Sequence, residues 1–212
     1  MLTPDATIFC DMDGVLVDFF AGAQRIFSHV EQGRIPRLWR TRSRSIPQAL
    51  AWIEDNLGPD FRLQTREELD IPAVRKLVLS AIAFDPGTFF AGLPPLADGL
   101  DQLWPALLAT GHEVKLLSAP IGARRGFAVG TAEEAKRAWA AQWLTPTPEV
   151  LLCPSRKKQQ FARAGGPANL LIDDRASTIE RWRAAGGIGI LHAPGGSAQT
   201  VPRLNALRAP GR

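Results

Sequence analysis

Thr7-Ile8-Phe9-Cys10-Asp11-Met12-Asp13-Gly14 is the stretch on which the fold turns. Its first four residues are β-prone and mostly apolar, the composition of a buried strand. Two carboxylates, one residue apart, fall where that strand should end, and Gly14 then lets the chain turn sharply. In an open α/β sheet, ligands bind along the edge formed by the carboxyl ends of the strands. Two acids this close repel one another unless a cation or a proton intervenes. The stretch therefore predicts a metal or acid–base site at Asp11 and Asp13.

Working outward, residues 15–30 read as an amphipathic helix, followed by a basic, turn-rich stretch in which Trp39 and Arg40 read as surface. Helical patterns follow at 46–56 and 65–84, with Pro47 and Pro72 suited to first-turn positions. No strand pattern occurs between 15 and 88, so a helical insertion follows the first strand. Beyond it, strand and helix alternate. Strands are expected at 113–117, 150–153, 169–172 and 188–191, and helices at 97–110, after the capping-box pattern at Thr131, at 155–164, and after a second such pattern at Ser177. Such alternation predicts an α/β fold, a Rossmann-like parallel sheet with helices on both faces and a small helical cap inserted after the first strand. Residues 1–19 and 86–193 form the expected core, 20–85 the cap, and 194–212 a loosely packed tail.

The chain has 212 residues, 45% hydrophobic and 22% charged, which is the composition of a globular domain. No apolar run approaches the ~18 residues of a membrane span. The first residues lack a secretory pattern, and Cys10 and Cys153 both abut predicted strands, so reduced core thiols and a cytoplasmic location are expected. The formal charge is +4 and the isoelectric point near 9.6. The basic residues are spread along the chain, whereas a nucleic-acid footprint should be clustered. Nucleic acid is therefore a possible but not a favoured partner, and no membrane association is expected.

Four polar features fall at corresponding places: Asp11/Asp13, Ser118, the Arg156-Lys157-Lys158 cluster and Asp173/Asp174 each follow a predicted strand or open the next helix. Parallel strands bring these ends to one edge. The set offers acids for a hard cation, and a hydroxyl and a lysine for anionic oxygens. Such a site suits phosphoryl transfer, in which positioning and charge neutralisation dominate.

In this order the motifs resemble those of the haloacid dehalogenase-like hydrolase superfamily: Asp11-Met-Asp13-Gly-Val, Ser118, a lysine, and Ile172-Asp173-Asp174. DMDGVLVDF (11–19), FFAGLPPLADG (89–99), LLIDDR (170–175) and ERWRAAGGIGIL (180–191) are similar to the 5'(3')-deoxyribonucleotidase family. The resemblance implies a Mg²⁺-dependent 5'-nucleotidase acting on nucleoside monophosphates. Asp11 would be the nucleophile, Asp13 the proton carrier with its backbone carbonyl on the metal, and Ser118 a ligand of the phosphoryl oxygens. Lys158 (or Lys157) would neutralise charge, Asp174 would complete the metal site with Asp173 as neighbour or substitute, and Phe19 would pack on the nucleobase. Where that family shows Thr-Ser-Pro this chain has Ser118-Ala119-Pro120, so Ala119 brings no hydroxyl to the substrate-binding position. A phosphatase on nucleic-acid ends or on another small phosphate ester is the alternative. A non-catalytic nucleotide-binding module is disfavoured, because binding alone needs neither nucleophile nor general acid.

Overall fold

The structure, a computed structural model, describes residues 1–31, 44–120 and 129–207. Trp39, Arg40, Gly122 and Gly126 lie outside them. Among the described residues five parallel strands form one sheet: β1 (Ile8–Cys10), β2 (Val114–Ser118), β3 (Glu149–Leu152), β4 (Leu170–Asp173) and β5 (Ile188–Leu191). Their order is β3-β2-β1-β4-β5. The chain thus leaves β1 to one side for β2 and β3, then crosses to the other side for β4 and β5. β1 is the switch point, and its registers Cys10↔Leu116 and Cys10↔Ile172 align the carboxyl ends of three strands.

Among the described residues the helices are α1 (Phe19–Glu31), α2 (Ser45–Leu57), α3 (Pro72–Ile82), α4 (Pro86–Ala91), α5 (Trp104–Leu108), α6 (Val129–Trp143), α7 (Ala176–Ala184) and α8 (Ser197–Leu207). Both sheet faces are buried, as a parallel sheet requires. On one face Phe9, Leu117 and Leu171 pack with Ala162, Ile179 and Trp182. Phe9 and Trp182 meet edge-on at 5.6 Å, and Trp182 Nε1 donates to the Asn169 carbonyl at 3.1 Å. On the other face Ile8, Cys10, Leu116, Leu170 and Ile172 are equally inaccessible.

The chain divides into two compact units. The first, Met1–Asp18, Pro94–Pro120 and Lys136–Arg212, carries the sheet. The second, Phe19–Leu93 and Ile121–Ala135, is helical where described. Within it α2 and α3 pair, burying Ile46, Ala49 and Ile53 of one and Val74, Leu77 and Val78 of the other. Phe27 meets Phe61 edge-on at 5.6 Å, and Gln24 Nε2 donates to the Leu63 carbonyl at 3.0 Å.

Several local expectations need correction. Residues 15–18 are not helical: the Leu16 and Val17 amides both donate to the Met12 carbonyl, closing a turn before α1. The expected helix over 65–84 is broken. A 3₁₀ turn at Glu67–Asp70 gives way to extended Ile71, because the residue before a proline avoids the helical region, and α3 starts at Pro72. The helix over 97–110 begins as a π turn, Gly99–Leu103. The two capping-box patterns do not mark the helix starts: α6 starts at Val129 and α7 at Ala176, so Thr131 and Ser177 lie inside their helices. Trp143, at the end of α6, is exposed. The tail is packed as far as Leu207, since α8 buries Ser197, Thr200 and Leu204 and the Leu2 amide donates to the Leu207 carbonyl.

Candidate active site

The site is built at the carboxyl ends of β1, β2 and β4, wholly within the sheet-bearing unit. β1 ends at Cys10, and the Asp11 amide continues the ladder to the Ile172 carbonyl at 2.9 Å. Asp11 is buried. The Met12 amide donates to its Oδ1 at 2.8 Å, and the Lys158 ammonium reaches its Oδ2 at 2.8 Å. The chain then turns through Gly14, whose φ of +84° suits glycine alone. A Cβ there would lie 2.8 Å from Asp174 Cγ, so the turn and the second acid pair fit only without a side chain.

Lys158 is 1% exposed and holds a second carboxylate, Asp173 Oδ2, also at 2.8 Å. Burial would lower its pKa, but the charges of Asp11 and Asp173 outweigh burial and keep it above the ordinary value. Asp173 is fully buried; its Oδ1 accepts from the Arg175 amide at 2.9 Å. Burial, and then the Asp11 charge, raise Asp173 to about 6. Burial, Asp11 and Asp173 raise Asp174 to about 7. Beside the acids, burial pushes the Cys10 thiol up, which removes it as a nucleophile.

Ser118 ends β2 and is fully buried. A second buried lysine, Lys136 of α6, donates to Ser118 Oγ at 2.6 Å and to Asp13 Oδ2 at 2.6 Å. Asp13 Oδ1 is buried with no hydrogen-bond partner among the described residues.

No family model and no curated protein matches the sequence. Solved structures do resemble it. A HAD-superfamily hydrolase of subfamily IA from Geobacter sulfurreducens superposes with a TM-score of 0.52 at 14% identity, over 95% of this chain and 97% of that one. A HAD family hydrolase from Deinococcus radiodurans, solved with phosphate and sodium, gives 0.50 at 19% identity, over 97% and 90%. A hydrolase from Streptococcus pneumoniae gives 0.50 at 16%, over 95% and 100%. The chain has the HAD-like fold.

In this HAD-like sheet Asp11, Asp13, Ser118, Lys158, Asp173 and Asp174 converge on one edge. Lys158 faces the carboxylates, whereas Lys157 is exposed. The reason is local: Ser155–Phe161 is a 3₁₀ turn, and its three-residue period aligns Lys158 with Ser155 and Phe161. Ala119 follows Ser118 half-buried. Phe19 belongs to the helical unit, where it opens α1 and meets Phe89 edge-on at 5.5 Å.

Carboxylate oxygens of Asp11, Asp173 and Asp174 lie within 4.8 Å of one another. All three donors are hard oxygen ligands of the kind that suit Mg²⁺. The raised values of Asp173 and Asp174 show what a cation would relieve. The donor set therefore fits a hard divalent ion. Lys136 is the functional candidate that local reading missed. Its signal was a lysine inside an apolar helical stripe, since Ala132, Ala135, Trp139 and Ala140 at helical spacing around it are all buried.

No helix among the described residues is long and apolar enough to cross a membrane.

Proposed function

We propose that this chain is a Mg²⁺-dependent phosphomonoesterase that works through an aspartyl-phosphate and takes nucleoside monophosphates as substrates. One observation carries the reading: Lys158 lies 2.8 Å from both Asp11 and Asp173, beside an Asp13 carboxyl with an unpartnered oxygen. This combines a nucleophile, a cationic neutraliser and a proton carrier at one strand edge. Displacement of halide, the other chemistry a single aspartate could perform here, needs no proton donor for its leaving group. Transfer of a phosphoryl group with release of an alcohol does benefit from one.

Asp11 attacks phosphorus as the ester P–O bond breaks. Asp13 gives its proton to the departing oxygen, and the alcohol leaves. Asp13 then takes a proton from water as the water attacks the aspartyl-phosphate, which releases inorganic phosphate and restores Asp11. Ser118 hydrogen-bonds the phosphoryl oxygens, and Lys158 offsets their charge and that of Asp11. Asp11, Asp174 and the Asp13 carbonyl would hold the ion, with Asp173 anchored to Lys158 beside them. Bound there, Mg²⁺ supplies charge neutralisation at the phosphoryl oxygens. The family resemblance assigns the nucleobase contact to Phe19, which meets Phe89 edge-on within the helical unit.

Phosphate release from a panel of nucleoside and deoxynucleoside monophosphates, sugar phosphates and 5'- and 3'-phosphorylated oligonucleotides, with Mg²⁺ or with chelator, tests the proposal. Mononucleotides should be the best substrates, chelator should abolish release, and a folded Asp11→Asn variant should be inactive. Preference for sugars or oligonucleotide ends defeats the nucleotide assignment alone. Absence of turnover on every ester defeats the phosphatase.

A further inference from the structure

Lys136 is not part of the machinery just described, yet it is 1% exposed and bound to two members of it. Burying an ammonium is costly unless it is paired and hydrogen-bonded, and a surface lysine would have served α6 equally well. What the burial achieves is visible in the atoms left over. Lys136 donates to Asp13 Oδ2, and Asp13 Oδ1 remains buried without a partner. Lys136 also donates to Ser118 Oγ, which makes that oxygen an acceptor and leaves its O–H to donate elsewhere.

We infer that Lys136 is a positioning residue that fixes the Asp13 carboxyl through Oδ2, so that Oδ1 is the atom that carries the proton to the leaving group. The inference rests on the phosphomonoesterase reading. In the first step the Oδ1 proton passes to the bridging ester oxygen as the P–O bond breaks and Asp11 becomes phosphorylated. Oδ2 keeps its bond to the Lys136 ammonium throughout. The same ammonium turns the Ser118 hydroxyl outward as a donor for a phosphoryl oxygen. Lys158 has a separate task, since its partners are Asp11 and Asp173 and not Asp13.

The distinguishing experiment varies the leaving group. An alkyl phosphate, such as a nucleoside monophosphate, needs protonation of its departing oxygen, whereas 2,4-dinitrophenyl phosphate releases a stable phenolate without it. Lys136→Met, of similar length and uncharged, should lose about 100-fold in kcat on the alkyl ester, the scale of a general-acid contribution. Its loss on the dinitrophenyl ester should be at least about tenfold smaller. Lys136→Gln, which keeps a donor without charge, gives the same comparison if the Met variant does not fold. Equal losses on the two esters, or no loss on either, overturn the inference while leaving the phosphatase reading standing. A wild-type protein that hydrolyses neither ester overturns both.

Discussion

The same arrangement, a lysine between two carboxylates, stands at both ends of the sheet. At the carboxyl edge Lys158 lies 2.8 Å from Asp11 and 2.8 Å from Asp173. At the opposite edge Lys115 lies 2.9 Å from Glu149 and 3.2 Å from Glu113. The Glu149 hydrogen bond leads in raising Lys115, and burial opposes the carboxylates at Lys158, yet both ammonium groups end above their ordinary value. Exposure separates them. The Lys158 side chain is 1% exposed and its partners 9% and 0%, against 24% for Lys115 and 62% and 52% for its partners. A water-exposed triad is inexpensive and worth little. A buried triad pays desolvation for every ion and is poor evidence of added stability. The buried one therefore needs a chemical reason, and the phosphoryl transfer proposed above would provide it.

The largest test of this contrast is Lys158→Met. It strips the cation from Asp11 and Asp173 and leaves two buried carboxylates unneutralised. Removal of one partner of a buried pair costs roughly 3–5 kcal/mol. Turnover should fall at least 100-fold, the scale of one preorganised electrostatic group. Urea unfolding in chelator should show the stability loss, and Mg²⁺ should restore part of it. An unchanged unfolding midpoint without metal would mean that the buried triad is no more demanding than the exposed one.

Glycines sharpen the comparison on a smaller scale. Gly14 and Gly111 both have positive φ, +84° and +75°. A Cβ at Gly14 would meet the Asp174 carboxylate, whereas one at Gly111 would meet nothing within 4 Å. Both alanine variants should pay backbone strain of about 1–3 kcal/mol. Only Gly14→Ala should also lose activity and weaken Mg²⁺ binding, because Asp174 must move. Equal activity in the two variants would show that the carboxyl edge tolerates displacement of its acids.

The acids at that edge predict a pH dependence. Asp173 and Asp174 rise from an ordinary 3.8 to about 6 and about 7. The folded state thus holds more protons than the unfolded one between about pH 4 and pH 7, so its stability falls as pH rises through that window. In chelator the melting temperature should be higher at pH 5 than at pH 8, after other groups are accounted for by an Asp173→Asn, Asp174→Asn comparison. Mg²⁺ should reduce the difference. A chelated protein whose melting temperature is the same at both values would contradict the buried-acid description.

The sheet was readable in the residues because each strand is a short apolar run ended by an acid, a serine or a loop, and β–α alternation leaves few topologies. Asp11, Ser118 and Asp173 could be aligned in advance for the same reason: each sits at or just beyond a strand's carboxyl end. The helices were less readable where backbone chemistry outweighed periodicity, as at Ile71-Pro72 and in the turn of residues 15–18. Lys158 and Lys157 are chemically identical neighbours, and only the 3₁₀ period of their turn separates a buried from an exposed ammonium. The apolar stripe around Lys136 marks it as buried, but its partners lie 123 and 18 residues away, a tertiary fact that the stripe does not encode.

The smallest effect belongs to Lys115, whose partners are exposed. Lys115 is the second residue of the strand that Ser118 closes, and it pairs with Glu149 across β2 and β3. Its second partner, Glu113, lies two residues before it, on the same side of an extended chain. With both glutamates more than half exposed, water can replace the ammonium at little cost. Lys115→Met should therefore change stability by no more than about 1 kcal/mol and leave kcat unchanged. The small destabilisation should shrink in high salt, because exposed pairs are screened. Chemical denaturation by urea with and without added salt, beside turnover on the best mononucleotide, measures both. A loss of activity comparable with that of Lys158→Met would mean that the two ends of the sheet are coupled, and that burial alone does not separate them.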